Sequence, residues 1–213
     1  MNAVDPLRRQ IKVLVVDDHP LMREGIAAVV EREADMVLVA EAANGREAVE
    51  RFAEHRPDVT LMDLQMPEMD GIEATLAIRA EWSDARIMML TTYRGDAQAR
   101  RSLQAGAAGY LLKSMIRNEL LAAIRAVHAG QRWIPSEVAA ELAAHLTDDT
   151  LSAREIDVLK QVAAGNSNRR VASELGVTED TVKSHMKNIM NKLSARDRTH
   201  AVTISLKRGI IDP

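Results

Sequence analysis

Five times between residues 11 and 129, a short apolar or β-branched run is followed by a longer stretch with the periodicity of an amphipathic helix, and few folds accept that alternation. The runs Ile11–Val16, Met36–Ala40, Val59–Met62, Arg86–Leu90 and Gly109–Leu112 read as strands. The stretches Leu21–Glu33, Gly45–His55, Gly71–Trp82, Asp96–Ala105 and Ile116–Ala129 read as the helices between and after them. Unbroken apolar strands are buried on both faces, so helices must cover both sides of a parallel sheet. The expected fold class is α/β: a five-stranded, doubly wound parallel sheet of the flavodoxin-like kind over residues 1–130, followed by a small all-α domain. Residues 131–149 form the expected connector. Trp133-Ile-Pro135 breaks the preceding helix, Ser136 caps an Ala-rich one that ends near Leu146, and Thr147–Thr150 reads as a polar hinge.

Residues 150–213 read as helical throughout. Ser152 and Glu155 have the spacing of a capping box, in which each side chain satisfies the other residue's amide. A short helix near Asn168–Leu175, a turn at Gly176-Val177, an N-cap at Thr178 and a longer helix Glu179–Leu193 have the order of a helix-turn-helix, and a last helix follows over about Asp197–Arg208.

Ligands of doubly wound sheets sit outside the carboxyl ends of the strands. Strand one ends at Asp17-Asp18 and strand three at Asp63, on neighbouring strands, so three carboxylates converge. Carboxylates so close raise one another's pKa unless a cation joins them, and Mg²⁺ suits a small oxygen-donor set. Strand four ends at Thr91, a hydroxyl, and strand five at Lys113, an ammonium. Metal, hydroxyl and ammonium around one carboxylate are the equipment of phosphoryl transfer. The glycines of Ala105–Gly109 lack the spacing of a phosphate cradle and precede a strand, so they read as a tight turn.

Charge separates the two parts. The whole chain carries a net charge of −3, yet residues 150–213 hold 11 Lys/Arg against 7 Asp/Glu, leaving 17 against 24 in the remainder. An acidic module is therefore joined to a basic one suited to nucleic acid. Aromatic residues are only 2 %, which disfavours a single-strand binder that stacks bases and points to double-stranded DNA. In the helix Glu179–Leu193, Val182, Met186, Ile189, Met190 and Leu193 form one face. Thr181, Lys183, Ser184, Lys187 and Asn188 form the other, with donors for phosphates and base edges.

These motifs resemble a known family. Asp17-Asp18, Asp63 within Met62–Gly71, Thr91-Thr92 and Gly106–Lys113 are similar, in order and spacing, to the receiver domain of bacterial two-component response regulators. Leu151–Leu159, Ala163–Asn168, Val171–Gly176, Thr181–His185 and Arg196–Thr199 resemble the LuxR-type helix-turn-helix. Together they resemble the NarL/FixJ family of transcription factors.

The resemblance implies that Asp63 accepts phosphate from a sensor histidine kinase. It implies that Asp18, Asp63 and the Gln65 carbonyl bind Mg²⁺ with Asp17 assisting, that Thr91 and Lys113 engage the phosphoryl oxygens, and that Tyr110 is the switch aromatic coupled to Thr91. By the same analogy Lys183, Ser184 and Lys187 face bases, and Thr181 and Arg198 contact phosphates. Ala201, Val202 and Leu206 of the last helix meet a partner's copy in a homodimer formed on phosphorylation or on DNA. Ser114 departs from the pattern, since many receivers have Pro there, and so does Arg169-Arg170-Val171, where Lys/Arg-Glu-Ile is commoner.

Two other classes compete. An aspartate-nucleophile phosphohydrolase needs a second Asp two residues after the nucleophile, and that position holds Gln65. A small-molecule sensor with the same DNA-binding end needs an enclosed, usually aromatic-lined pocket, against which the few aromatics argue. The six histidines are scattered without ligand spacing, so no histidine metal site is expected. The absence of cysteine excludes disulfides and thiol catalysis. No apolar run is long enough to span a bilayer and the N-terminus has no apolar core of a signal peptide, so a cytoplasmic protein is expected; the missing acid at Gln65 makes it an acceptor of phosphate on Asp63 rather than an enzyme with dedicated turnover.

Overall fold

A computed structural model describes residues 10–92, 95–145 and 150–211. The elements follow in the order β1 (Ile11–Val16), α1 (Pro20–Val30), β2 (Met36–Ala42), α2 (Gly45–His55), β3 (Val59–Asp63), α3 (Gly71–Glu81), β4 (Ile87–Thr91), α4 (Asp96–Gln104), β5 (Gly109–Leu112) and α5 (Ile116–His128). A 3₁₀ turn, Lys113–Met115, joins β5 to α5. Helices α6 (Ser136–Ala144), α7 (Ala153–Ala163), α8 (Asn168–Leu175), α9 (Glu179–Lys192) and α10 (Arg198–Arg208) complete the chain. It divides into two compact units, the first ending at Ser136 and the second beginning at Glu137, except that the start of α4 groups with the second.

The first unit is a five-stranded sheet in the order β2-β1-β3-β4-β5, with every neighbouring pair parallel. Strands β3, β4 and β5 are buried at every position, as apolar strands covered on both faces must be. Side chains alternate between the faces. Val13, Val15, Leu61, Met88, Leu90 and Leu111 pack with Ile26 and Val30 of α1 and with Leu120, Ala123, Ile124 and Val127 of α5. Their neighbours Leu14, Met62 and Met89 turn to the other face and are fully buried. The register pairs Val16 with Met62, Asp63 with Leu90 and Thr91 with Leu112, so β1, β3, β4 and β5 end at one level. The chemistry-bearing residues are brought to one edge by that register.

The expected connector contributes to the sheet. Tyr110 donates its amide to the Trp133 carbonyl at 2.7 Å, and a parallel bridge pairs Gly109 with Trp133. Strand β3 runs one residue further than its apolar run, to Asp63, and β2 two residues further, to Ala42. Of the expected hinge at 147–150, only Thr150 is among the described residues. No cis peptide bond occurs in the described chain, including at Lys113-Ser114. Among the described residues no helix is long and apolar enough to cross a membrane.

In the second unit, helix starts are set by side-chain caps. The Ser152/Glu155 capping box forms in both directions. Ser167, Thr178 and Asp197 each accept a backbone amide at the starts of α8, α9 and α10. Gly176 ends α8 at φ +66°, a left-handed conformation that suits glycine and turns the chain into α9. Val158, Leu159, Val162, Val171, Val182, Met186, Ile189 and Ala201 form a single core. Lys192 Nζ lies 2.8 Å from the buried Glu155 carboxylate, so the end of α9 is tied to the start of α7.

Candidate functional site

Asp17 follows directly on β1 and is fully buried, while Asp63, the last residue of β3, is 4 % exposed. Lys113 follows β5 and places its Nζ 2.7 Å from Asp17 Oδ2 and 2.9 Å from Asp63 Oδ2. Asp18 is only partly covered, and its carboxylate stands at the rim. Thr91, the last residue of β4, is buried and shares a hydrogen bond with the buried Tyr110 hydroxyl. Gln65 is exposed, two residues beyond Asp63 in the loop to α3. Asp17, Asp18, Asp63, Thr91 and Lys113 therefore meet at one sheet edge, with Tyr110 directly behind Thr91.

Charge repulsion and burial act together on this cluster. Burial is the main reason the Asp63 carboxyl is pushed up to about 6, and Asp17 and Asp18 add to it against the opposing pull of Lys113. Burial works against the charged form of Lys113, but the carboxylates of Asp17 and Asp63 outweigh it and hold the ammonium above its ordinary range. Tyr110 rises to about 12, chiefly through burial, so it is a neutral phenol at physiological pH.

The loop that carries Gln65 is shaped by close backbone approach. A Cβ at Gly71 would lie 2.1 Å from the Asp63 carbonyl oxygen, and Gly71 donates its amide to the Leu64 carbonyl at 3.0 Å. Asp70 caps α3 in a capping box with Glu73. Glycine at 71 lets α3 begin against the backbone of Asp63.

Two participants went unnoticed in the sequence. Arg23 of α1 donates from its guanidinium to the Asp17 carbonyl at 2.6 Å, and so pins the end of β1. His19 donates its amide to Asp17 Oδ1 at 2.9 Å, and its Nδ1 lies 2.7 Å from Asp18 Oδ1 and 3.2 Å from Asp17 Oδ1. Nothing in the spacing of the histidines points to His19; only its place next to the Asp pair could have.

The donor set fits a divalent cation. Asp17, Asp18, His19 and Asp63 each offer one ligand atom, all within 4.8 Å of one another. Asp17 Oδ2 and Asp18 Oδ1 are buried atoms, held by the Lys113 ammonium and the His19 ring at 2.7 Å each. Three converging carboxylates beside a single ammonium leave surplus negative charge, which a divalent cation offsets.

In the second unit, Lys183, Ser184 and Lys187 are exposed on one side of α9, with Thr181 half-buried at its start. Lys183 Nζ pairs with Asp180 Oδ1 at 2.8 Å, and Ser184 donates its hydroxyl to the Asp180 carbonyl at 2.9 Å. Arg198 is half-buried, donating to Asn168 Oδ1 at 3.1 Å and to the Asn166 carbonyl, so it braces the connection between α7 and α8. Ala201 requires a correction. It is fully buried in the unit's own core, so its methyl cannot face a partner, whereas Val202 and Leu206 are only partly covered.

Comparison with known proteins agrees with this division. A receiver-domain model of response regulators matches residues 13–125, and a model of bacterial regulatory proteins of the luxR family matches residues 149–205. The chain is 38 % identical to the transcriptional regulatory protein LiaR of Bacillus subtilis (strain 168), over 95 % of this chain and all of that one. It is 35 % identical to LnrK of the same organism, over 94 % and 98 %. The crystal structure of the response regulator ChrA of a heme-sensing two-component system superposes with a TM-score of 0.56 at 36 % identity, covering 95 % of this chain and 99 % of that one.

Proposed function

The chain belongs to the two-component response regulators, transcription regulators that join a receiver to a LuxR-type DNA-binding domain, and from that membership we propose that phosphate on Asp63 controls its binding to DNA. The observation that carries the reading is Lys113, whose ammonium spans Asp17 and Asp63 at 2.7 and 2.9 Å beside the buried Thr91 hydroxyl.

The Asp63 carboxylate attacks the phosphorus of a phosphohistidine on a sensor kinase. The new O–P bond forms as the N–P bond breaks, and the imidazole leaves with the electron pair. Lys113 and Thr91 hold the transferred oxygens. Asp17, Asp18, Asp63 and the Gln65 carbonyl are the residues that would hold Mg²⁺, which when bound neutralises charge that develops on those oxygens. Turning Thr91 toward the phosphoryl group alters its hydrogen bond with Tyr110, and the pair is the bistable element.

The output is read by α9, with Lys183, Ser184 and Lys187 toward base edges and Thr181 toward a phosphate. Arg198 reaches a phosphate while bracing α8, and Val202 and Leu206 meet the second subunit of a homodimer. Gln65 stands where a phosphohydrolase would need an acid, so the chain accepts phosphate without dedicated turnover. Its kinase partner and its DNA place this work in the cytoplasm.

A gel shift against promoter fragments, with and without beryllofluoride and Mg²⁺, tests the reading. Binding should tighten for the natural chain and stay unchanged for Asp63→Asn. Binding that ignores the mimic in both would remove Asp63 from control of DNA.

A further inference from the structure

We propose that His19 is a nitrogen ligand at the mouth of the acidic pocket and biases it toward divalent transition ions such as Mn²⁺ and Zn²⁺ over Mg²⁺. The inference rests on the reading of Asp17, Asp18 and Asp63 as an ion site.

His19 is anchored by its own backbone, whose amide bonds Asp17 Oδ1 at 2.9 Å. Its side chain is 71 % exposed, so burial does not force the ring inward. Nonetheless Nδ1 stands 2.7 Å from Asp18 Oδ1 and 3.2 Å from Asp17 Oδ1. Donors at right angles about an ion with bonds of about 2.1 Å are separated by about 3.0 Å, and the two distances fall on either side of that value.

The division of oxygens also fits. Asp17 turns Oδ2 toward Lys113 and Oδ1 toward His19, so one carboxylate serves the ammonium and the ion at once. With a proton on Nδ1 these contacts are a hydrogen bond or ion pair to the two carboxylates; with the ring proton on Nε2, the Nδ1 lone pair is open to a cation held by the same oxygens. Mg²⁺ prefers oxygen donors and retains its waters, whereas imidazole suits Zn²⁺ best, with Mn²⁺ between the two as an ion that takes carboxylates and gives up water more readily. An oxygen-only pocket has no such donor; His19 adds one without removing an oxygen.

Replacement at 19 should leave the fold intact. His19 is the N-cap residue of α1, but its side chain makes no capping bond there.

The test uses the full chain. Mn²⁺, Zn²⁺ and Mg²⁺ are titrated calorimetrically into the natural protein, His19→Ala and Asp17→Asn, and ¹⁴N modulation of the electron spin echo is recorded on the Mn²⁺ forms. Expected are tenfold or greater weakening of Mn²⁺ and Zn²⁺ in His19→Ala, Mg²⁺ affinity unchanged within about twofold, and loss of the ¹⁴N signal. A ¹⁴N signal or a Mn²⁺/Mg²⁺ ratio that survives His19→Ala, with binding still lost in Asp17→Asn, would overturn the role of His19 and keep the acidic site. Binding that survives Asp17→Asn would overturn both.

Discussion

Asp63 shows how one residue's environment sets its chemistry. Its carboxyl rises from 3.8 to about 6 because it is buried and faces Asp17 and Asp18. In its proposed role as nucleophile it must be ionised, so uptake of phosphate from a small donor should fall as pH drops through about 6. A profile that is flat between pH 5 and 7.5 would assign the nucleophile elsewhere. The same shift has a stability consequence of defined sign. A carboxyl with a raised folded pKa binds its proton more tightly in the folded state, so folding is favoured below that pKa and the advantage disappears as pH rises through about 6. About two units correspond to a ceiling of about 3 kcal/mol. In the absence of metal, Asp63→Asn should therefore be the more stable protein at pH 7.5, by about 1–3 kcal/mol, with the difference shrinking toward pH 5. Urea unfolding of both proteins at the two pH values measures it.

At the scale of elements, two helix starts carry distinct tasks. The start of α3 lies against the Asp63 backbone, where a Cβ at Gly71 would come within 2.1 Å of the carbonyl oxygen. Gly71→Ala should cost about 3 kcal/mol and displace the loop that holds Gln65, seen as a lowered urea midpoint together with weaker ion binding. A variant of unaltered stability would show that α3 shifts freely. The start of α7 is fastened by the Ser152/Glu155 capping box, with Lys192 of α9 on the same carboxylate. Ser152→Ala should destabilise the second unit by about 1 kcal/mol and leave phosphate uptake unchanged. The capping box was legible because its residues are local and three apart. The close approach at Gly71 was not, since its partner is eight residues away across a loop.

For the molecule as a whole, charge asymmetry is the property with consequences. The acidic surplus lies before residue 150, where the carboxylates gather, and the basic surplus lies after it, along with α9. Lys187→Ala should weaken DNA binding about tenfold and relax discrimination between target sequences. Equal affinity at low and high salt would mean that another surface meets DNA. Exchange of Val202 and Leu206 for charged residues tests the proposed dimer contact of α10, which Ala201 cannot join.

The alternation of apolar runs with helical patterns determined the parallel sheet, because strands buried on both faces need helices on both sides. Since such a sheet gathers its strand ends, Asp17, Asp18, Asp63, Thr91 and Lys113 could be placed together from residue order. What only the tertiary structure decided depends on contacts between distant residues or on the direction of a side chain. Arg23 reaches back to the Asp17 carbonyl, the His19 ring turns toward two carboxylates, Trp133 joins the edge of β5, and Ala201 is drawn into the core of its own unit. Periodicity specifies which face a residue occupies, but packing determines what that face meets.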